Sequence, residues 1–437
     1  MSVTIPNVAC TVCGCVCDDL AVTVDAGRVV RADGACHLAE PWFLRQNATQ
    51  PPAALIAGHP AELGLAYDQA AELLRGAKYP LIYGLSRSTT EGQRAATALA
   101  DRIGATIDTT ASTGHAPSIM ALQQVGESTC TLGEVRNRAD LVIFWGSDPV
   151  LTHPRHLERY SADPPGRFVP GGRKDRFVVV VDEQETESAK RADLFIPVSP
   201  GRHWEALWTL RMRVRGIEIP PQPLLPFTAK VGREDTSSQA LGEVGFADLV
   251  ARMKSCQCGV IFFGTGVTRG QLAHRTIEAL LQLVTDLNDH TRFYARRMRR
   301  YGDVAGADSV LAWQTGYPFG VNLSRGYPRY NPGEFTGPEM LARGEVDVCL
   351  LVGGETAADF PAAALDRLRQ IPVILLDAPG VEPIVPAAVA FTTAVYGVHR
   401  PGTAYRMDEV PIPLRVILPT DYPSDGEVLG ELLRRVG

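Results

Sequence analysis

The sequence lacks the features that mark several large classes of protein. Its 437 residues contain no apolar run of membrane-spanning length, and the N-terminus carries cysteines where a signal peptide would have its apolar core. No long basic run is present, and 43 Lys and Arg stand against 49 Asp and Glu, for a net charge of −6. These absences argue against a membrane or a nucleic acid as a partner. We therefore expect a cytoplasmic protein.

Familiar hydrolytic motifs are absent as well. No Ser-His-Asp order, nucleophile-elbow phrase or spaced pair of carboxylates can be assigned in the sequence. The hydrophobic content of 45% and the charged content of 21% are those of a globular protein, and the length exceeds what one ordinary core holds. We expect two or three domains.

Cysteine is scarce along most of the chain and dense at its start. Five of the nine cysteines lie in the first 36 residues, a crowding that favours metal binding over a disulfide framework. Two alternating runs, LAVTV and RVVRA, predict a β-hairpin that returns the chain to this loop. Four thiols in Cys-x2-Cys-x3-Cys…Cys spacing would then converge, while Cys15 fits no ligand pattern; the four are Cys10, Cys13, Cys17 and Cys36.

The chemistry of this cysteine set leaves three alternatives open. Thiolates suit a [4Fe–4S] cluster or a zinc ion, and a tight loop with one distant cysteine is a common way to hold a cubane. The third alternative is a metal-free site of ordinary buried cysteines.

From about residue 70 the pattern alternates between strands and helices, which predicts a mostly parallel sheet with helices on both faces. The proline-rich stretch 219–227 is the best linker candidate. We therefore expect an α/β protein with a small Cys-rich β domain at 1–48, a Rossmann-like doubly wound lobe at 49–217 and a second such lobe with the C-terminal segment at 218–437. No C-terminal β-barrel domain is evident in the sequence.

Long loop phrases of the sequence carry a family resemblance. They are CTVCGCVCDD, ESTCTLGEVRNRADLVIFWGSDP, WQTGYPFGVNLSRGYPRYNPGEF and GTAYRMDEVP, and they extend over residues 10 to about 410. With the cysteine spacing, they make the chain resemble the B subunits of formylmethanofuran dehydrogenases, within the molybdopterin oxidoreductases. The resemblance implies the fold of formate dehydrogenases and related enzymes, without their C-terminal barrel.

One position departs from that family. In the redox enzymes a cysteine in the phrase Cys-His-Gly-Pro-Ser ligates molybdenum or tungsten, whereas this sequence has Gly114 there, followed by His115. Glycine has no side chain and cannot ligate a metal. We therefore expect no molybdopterin or tungstopterin and no catalytic residue in this chain. The redox alternative would need another ligand, such as His115 or Cys130.

The family also contains a non-redox branch, the B subunits of the formyltransferase/hydrolase complexes of one-carbon-oxidising bacteria. That branch implies a structural subunit in a hetero-oligomer that moves a formyl group from tetrahydromethanopterin to a methanofuran-like carrier and hydrolyses it to formate. The implied partners are a zinc-dependent amidohydrolase-like subunit, a formyltransferase subunit that holds the carrier, and a further C subunit. An electron-transfer module that keeps only the iron–sulfur cluster is a third hypothesis.

Five residues at the ends of two strands are candidates for a vestigial pterin pocket. WGSDP ends one strand, and GTGVTRG follows another and precedes a helix, where backbone amides cradle phosphates in nucleotide folds. The glycines equally suit a tight strand–helix turn. The five are Trp145, Gly146, Gly264, Gly266 and Gly270.

Two polar clusters complete the candidates. His153 and His156 have the spacing of a helical metal pair, but without a third ligand we expect polar contacts instead. The dense basic patch from Arg297 to Asp303 suits an anionic carrier or a pterin phosphate, although a solvated or subunit-facing surface is the more ordinary interpretation.

Overall fold

The computed structural model describes residues 2–217, 238–270 and 272–437, with side chains from residue 246 onward in the second range. The chain divides into two compact units, unit 1 of Met1–Gly114 with Arg300–Gly437 and unit 2 of His115–Arg299. The predicted linker at 219–227 lies outside the described residues.

The strands of the described residues are, in chain order, β1 (Val3–Val8), β2 (Leu20–Asp25), β3 (Arg28–Asp33), β4 (Ala54–Ile56), β5 (His59–Pro60), β6 (Pro80–Gly84), β7 (Thr106–Thr109), β8 (Leu141–Trp145), β9 (Phe177–Asp182), β10 (Leu194–Pro197), β11 (Cys258–Phe263), β12 (Arg292–Arg297), β13 (Val321–Asn322), β14 (Arg329–Tyr330), β15 (Val348–Val352), β16 (Val373–Asp377), β17 (Val389–Thr392), β18 (Gly402–Tyr405) and β19 (Pro411–Leu414).

The α-helices are α1 (Ala39–Leu44), α2 (Leu63–Gly76), α3 (Thr90–Ile103), α4 (Ala111–Gly114), α5 (Ala116–Val125), α6 (Leu132–Arg138), α7 (Pro149–Thr152), α8 (His203–Val214), α9 (Ser238–Ser255), α10 (Ala273–Leu287), α11 (Val304–Thr315), α12 (Gly337–Ala342), α13 (Ala362–Leu368) and α14 (Asp425–Val436). A single π-helical turn covers Leu157–Ser161.

Unit 1 contains a small N-terminal sheet and a large sheet. The small sheet is β1-β2-β3, and β2 pairs with β3 as the hairpin that the alternating runs predict. The large sheet has nine strands in the order β14-β13-β7-β6-β15-β16-β17-β4-β5, of which β7, β6, β15, β16 and β17 are parallel. β18 and β19 form a separate two-stranded sheet.

Alternating side chains of the large sheet point to two cores. Ile82 of β6 and Leu350 of β15 face the core that α2, α3 and α14 cover, whereas Leu81 and Leu351 face the core under α12 and α13. Apolar residues on both faces are typical of a parallel sheet between two helical layers. From β6 the sheet continues through β7 to one side, whereas from β15 it continues through β16 and β17 to the other. The point between β6 and β15 is therefore the topological switch of unit 1.

Local sequence signals set the ends of the helices. Thr89 caps α3 by accepting a hydrogen bond from the Gly92 amide at 3.3 Å, and Gly104 ends the helix in the left-handed conformation. Ser424 and Glu427 form a reciprocal capping box at the start of α14. These side chains satisfy backbone groups that a helix end would otherwise leave unpaired.

Unit 2 contains one parallel sheet of five strands in the order β10-β9-β8-β11-β12. Its core combines alternate residues of β8, β9 and β11 with the apolar faces of α8, α9 and α10. β9 and β10 extend to one side of β8, while β11 and β12 extend to the other. The topological switch of unit 2 therefore lies between β8 and β11.

The two units do not follow the expected lobe boundaries. β6 and β7 lie before residue 217 but share a sheet with β15 and β16, and β8 shares a sheet with β11 from beyond that residue. The nine-stranded sheet and the five-stranded sheet thus each combine strands from both expected lobes, 49–217 and 218–437. Residues 1–48 belong to unit 1. The expected boundary came from prolines, which indicate where regular structure is interrupted. The pairing of strands from distant segments determines which residues form a unit.

Within the described residues, no helix has both the length and the apolar character that crossing a membrane requires.

Candidate metal and cofactor sites

The cysteine loop in unit 1 is held by backbone hydrogen bonds. The Cys10 amide donates to the Cys17 carbonyl at 2.7 Å, and the Val16 amide donates to the Cys13 carbonyl at 3.1 Å. Val16 has a φ of 37°, so the turn places a β-branched residue in the left-handed region. The hairpin β2–β3 leads the chain from Cys17 back toward the loop at Cys36.

The four predicted cysteine ligands lie close enough to interact electrostatically. Burial raises the pKa of the Cys10 thiol, and the neighbouring sulfurs of Cys13, Cys17 and Cys36 raise it further. Burial also raises the pKa of Cys36. A group of thiols whose proximity disfavours ionisation is the donor set that a cationic metal centre would stabilise.

Two kinds of metal centre would use these thiols differently. A single zinc ion draws four sulfurs onto one point, whereas a cubane gives each sulfur its own iron and spaces them apart. In the part of the chain that the structure describes, no three or more His, Cys, Asp or Glu side chains are grouped to hold a metal ion. The cluster, the zinc ion and the ligand roles of the four cysteines all remain predictions.

Cys15 is the fifth thiol of the loop and is completely buried. Hydrogen bonds with Cys13 and then Cys17 raise the pKa of its thiol, and burial adds to the effect. The neutral thiol of Cys15 therefore lies against two predicted ligands. The spacing motif alone gave no role to this residue.

Gly114 ends the short helix α4, directly after β7. The turn is held by side chains, since Ser112 Oγ donates to the Thr109 carbonyl and Thr113 Oγ1 to the Thr110 carbonyl, each at 3.0 Å. A β-carbon added at Gly114 would meet no heavy atom within 4 Å, and the residue does not have the positive φ that requires glycine. Neither packing nor backbone geometry therefore requires glycine at this position.

His115 precedes α5 in unit 2 and is buried. Its Nε2 donates to the Met298 carbonyl at 3.2 Å, and its Nδ1 lies 3.4 Å from Ser118 Oγ. Burial, and then the charges of Arg299 and Arg297, lower the pKa of His115 to about 3. The imidazole is therefore neutral and both ring nitrogens already face partners within unit 2.

Cys130 follows a stretch that contacts β12. Thr129 Oγ1 donates to the Ala295 carbonyl at 2.9 Å, and Arg296 Nη1 donates to Thr129 Oγ1 at 2.9 Å. The Cys130 thiol also interacts electrostatically with the Tyr294 hydroxyl. The His115 ring packs edge-on against Phe263, the last residue of β11, at 6.4 Å between centroids. Both candidate ligands therefore lie in unit 2.

Four of the five predicted pterin-pocket residues meet at the switch point of unit 2. The Gly264 amide donates to the Trp145 carbonyl at 3.1 Å, and the Gly266 amide donates to the Gly146 carbonyl at 2.9 Å. A β-carbon at Gly266 would lie 2.7 Å from the Gly146 Cα, so these turns touch backbone to backbone. The glycines thus serve a close approach of two turns, and the amides of Gly264 and Gly266 are already used.

Trp145 and Gly270 have surroundings that the sequence did not indicate. Trp145 is completely buried, and its Nε1 donates to His203 Nδ1 at 3.1 Å. Gly270 has a φ of 102° and a β-carbon there would meet nothing within 4 Å, so this glycine answers a backbone requirement. It lines a groove beside Trp204 and Trp208, away from the Gly146–Gly266 contact.

His153 and His156 are both buried and make polar contacts instead of sharing a metal. His153 Nε2 donates to the Arg299 carbonyl at 2.6 Å. His156 Nδ1 lies 2.9 Å from Ser161 Oγ, and its ring packs edge-on against Phe262 at 4.6 Å. These contacts agree with the expectation of polar packing.

The basic patch from Arg297 to Asp303 is only partly exposed. Arg297 and Arg299 are buried in unit 2, where Arg297 pairs with Glu127 at 3.0 Å. In unit 1, Asp303 is completely buried and accepts from the Tyr405 amide at 2.5 Å, whereas Arg300 is exposed and pairs with Asp359 at 3.1 Å. The expectation of a solvated or subunit-facing surface therefore fails for Arg297 and Arg299 but not for Arg300.

A cavity at the switch point of unit 1 was missed from the sequence. Arg87 follows β6 and pairs with Glu355 at 2.6 Å, and its Nη1 donates to the Thr11 and Val12 carbonyls of the cysteine loop at 2.8 and 3.0 Å. The cavity measures about 50 Å³. Burial, and then Glu355, raises the pKa of Asp377 to about 7. The sequence signal for this cavity was the polar residues at the ends of three buried strands, Arg87 after β6, Glu355 after β15 and Asp377 at the end of β16.

Relatives with known names match this chain over nearly its whole length, although no protein-family model matches it. The B subunit of tungsten-containing formylmethanofuran dehydrogenase 2 from Methanocaldococcus jannaschii is 38% identical over 439 residues, which cover 98% of each chain. The protein of the same name from Methanococcus maripaludis is 37% identical over the same shares. The chain belongs to the family of formylmethanofuran dehydrogenase B subunits.

A weaker match comes from a formyltransferase/hydrolase complex. The B subunit of the complex Fhc from Methylorubrum extorquens is 26% identical over 298 residues, which are 68% of this chain and 74% of the relative. The resemblance that the loop phrases carried is thereby confirmed.

Two solved structures share the fold. The formyltransferase/hydrolase complex FhcABCD of Methylorubrum extorquens, solved with methylofuran, contains a chain that matches with a TM-score of 0.68 at 23% identity, over 88% of this chain and 98% of that one. Acetylene hydratase from Pelobacter acetylenicus matches with a TM-score of 0.63 at 12% identity, over 98% of this chain and 69% of that one. These matches confirm a mixed α/β fold of the kind found in molybdopterin enzymes.

Proposed function

We propose that this chain is a structural, non-redox B subunit of a formyltransferase/hydrolase complex. In such a complex a formyl group moves from tetrahydromethanopterin to a methanofuran-like carrier, and water then cleaves the formyl amide to release formate. The observation that carries the proposal is Gly114, which stands where the redox enzymes have their metal-ligating cysteine. A residue without donor atoms supplies no bond to molybdenum or tungsten.

The surroundings of Gly114 support this proposal. The space beside its α-carbon is open, so no other side chain has filled the place of the missing thiol. His115 already uses Nε2 on the Met298 carbonyl. Cys130 follows position 114 by 16 residues in the chain. It would need a rearrangement of the intervening loop to replace the missing ligand.

The turns of unit 2 also fit a metallopterin poorly. The amides of Gly264 and Gly266 donate to carbonyls of the neighbouring turn, so they are not available to a phosphate. Trp145 is completely buried and offers no surface to a ligand. We therefore assign no step to a pterin cofactor in this chain.

We further propose that the cysteine loop binds a [4Fe–4S] cluster through Cys10, Cys13, Cys17 and Cys36. The mutual electrostatic interaction of these thiols supports the assignment, because bound iron would relieve the unfavourable ionisation of buried sulfurs. Such a cluster would serve the fold, since the proposed function involves no electron transfer.

The chemistry would then reside in partner subunits. We propose an amidohydrolase-like subunit with zinc, a formyltransferase subunit that carries the methanofuran-like group, and a further C subunit, in a cytoplasmic hetero-oligomer. The formyltransferase/hydrolase complex FhcABCD, one chain of which shares this fold, is a multi-subunit assembly, which supports a hetero-oligomer.

A redox function is the second candidate, because one observation favours it. The tungsten-containing relatives are more similar to this chain, at 38% and 37% identity, than the relative from the Fhc complex at 26%. Overall similarity reports common descent, however, whereas metal ligation depends on one donor atom at one position. We therefore give Gly114 more weight.

Elemental analysis of the intact purified complex tests the proposal. We expect zinc from a partner subunit, about four irons for each copy of this chain, and no stoichiometric molybdenum, tungsten or pterin fluorescence. A Gly114→Ala complex serves as the control, since it adds no donor and should retain full formyl-transfer activity. Stoichiometric tungsten or molybdenum with pterin, together with formate-dependent reduction of a viologen dye, would show that the chain is a redox enzyme.

A further inference from the structure

An apolar groove crosses the surface of unit 2 beside α8 and α10. Trp204 and Trp208 of α8 form one wall and are 44% and 36% exposed, and Leu272 at the start of α10 is 66% exposed. The groove has a volume of about 650 Å³. A contiguous exposed patch of large apolar side chains is typical of an interaction site.

We propose that this groove docks an apolar helical segment of a partner subunit that carries an acidic side chain. The floor consists of small residues three positions apart on α10, namely Ala273, Thr276 and Ala279. From Ala273 to Gln282 the helix extends about 14 Å at 1.5 Å per residue, which accommodates two to three turns of a helix.

The aromatic wall is held in place before any partner arrives. The Arg211 guanidinium lies over the Trp208 ring at 4.5 Å, and Arg211 Nε donates to Asp286 at 2.8 Å. Trp204 contacts Trp208 with 5.7 Å between ring centroids. Rigid Trp side chains lose little entropy on binding, which is why Trp and Arg are enriched among the residues that dominate interfaces.

The charge around the groove selects an acidic partner. Glu205 pairs with Arg202 at 2.8 Å, and Glu278 pairs with Arg275 at 2.6 Å, so both acidic residues of the lining are neutralised. Arg269 lines the same groove and has no ion-pair partner among the residues that the structure describes. A carboxylate on the docked segment would complement the charge of Arg269.

This inference rests on the proposed place of the chain in a hetero-oligomer, but it does not require the absence of redox chemistry. The metal content of the complex decides the proposed function, and subunit affinity decides the groove. The proposed function and the proposed docking groove can therefore fail independently.

The test is a titration of the full chain with each of the other purified subunits of the complex, by calorimetry at low and high salt. We expect Trp204→Ala to weaken binding of one subunit about thirty-fold, as for a central aromatic anchor. Arg269→Glu should weaken the same subunit roughly tenfold at low salt and less at high salt.

Trp313→Ala is the matched control, because Trp313 is a 61% exposed tryptophan on α11 of unit 1, outside the groove. It should leave every affinity unchanged. The proposal is overturned if Trp204→Ala and Leu272→Ala, with unchanged melting temperature, bind all subunits like the parent chain. It is also overturned if these variants abolish only self-association, or if hydrogen exchange shows α8 and α10 equally protected in the isolated chain and the complex.

Discussion

The cysteine loop at Cys10–Cys17 and the turn at Gly114 are the two places where the family resemblance implies metal in the redox members. Both backbones are held by hydrogen bonds, the first through the Cys10–Cys17 hydrogen bond and the second through Ser112 and Thr113. The first has four thiols in ligand spacing, counting Cys36, whereas the second has a glycine, which offers no donor side chain. Under the proposed function, one site keeps its ligands and the other has none, although the local backbone is held in both.

The largest expected effect concerns iron at the cysteine loop. Cys17→Ser removes a proposed cluster ligand, so we expect purified chain to lose nearly all of its iron, measured by elemental analysis and visible absorbance. Cys15→Ser is the control, since Cys15 contacts Cys13 and Cys17 without a place in the ligand spacing. Equal iron loss in both variants would contradict the ligand assignment. Absence of iron in the parent chain would mean that the cysteine loop, like the turn at Gly114, holds no metal.

A smaller effect on the free energy of unfolding should distinguish alanine substitutions at Gly266 and Gly114. Gly266→Ala would place a methyl group 2.7 Å from the Gly146 Cα, so we expect a loss of about 1–3 kcal/mol in the free energy of unfolding. Gly114→Ala meets nothing within 4 Å and should be neutral or slightly stabilising, because alanine restricts the unfolded chain. Chemical denaturation measures both. A destabilised Gly114→Ala variant would indicate that glycine is needed there for packing.

Acid should weaken unit 2 through His115. Its pKa in the folded chain is about 3 against an ordinary 6.5, so between these values the unfolded chain binds a proton that the folded chain does not. Stability is therefore lost as the pH falls from 6.5 toward 3, by about 2 kcal/mol at pH 5. His115→Gln should flatten this dependence, whereas replacing the exposed His290 should not. Parallel stability profiles for parent and His115→Gln would refute the assignment.

Local signals in the sequence predicted local structure well. The alternating runs predicted the β2–β3 hairpin, and buried strands with polar ends predicted the parallel strands at the centre of the large sheet and the parallel sheet of unit 2. The interleaving of β6 and β15 in one sheet could not be predicted, because the pairing joins segments that no local pattern relates. The burial of Arg297 and Arg299 was missed for the same reason, since Glu127, which pairs with Arg297, lies far away in the sequence.

The candidate sites also divide into those that a local pattern predicted and those that depend on distant segments of the chain. The spacing of Cys10 to Cys36 predicted four converging thiols; Cys10 interacts electrostatically with the other three, and their ligand roles stay a prediction. The glycines of the GTGVTRG turn were ambiguous, because a phosphate loop and a close backbone contact need the same residue. Arg87 and Asp377 went unnoticed, since a single polar residue after a strand gives little sign of which side chains will face it.

Arg87 has a consequence for how this family can change. It ties the carbonyls of Thr11 and Val12 to Glu355 through direct side-chain bonds that involve no sulfur. The loop therefore has an anchor of its own, independent of whatever its cysteines bind. A substitution at one cysteine would leave these bonds in place, so a member of the family could lose a loop ligand and keep this anchor.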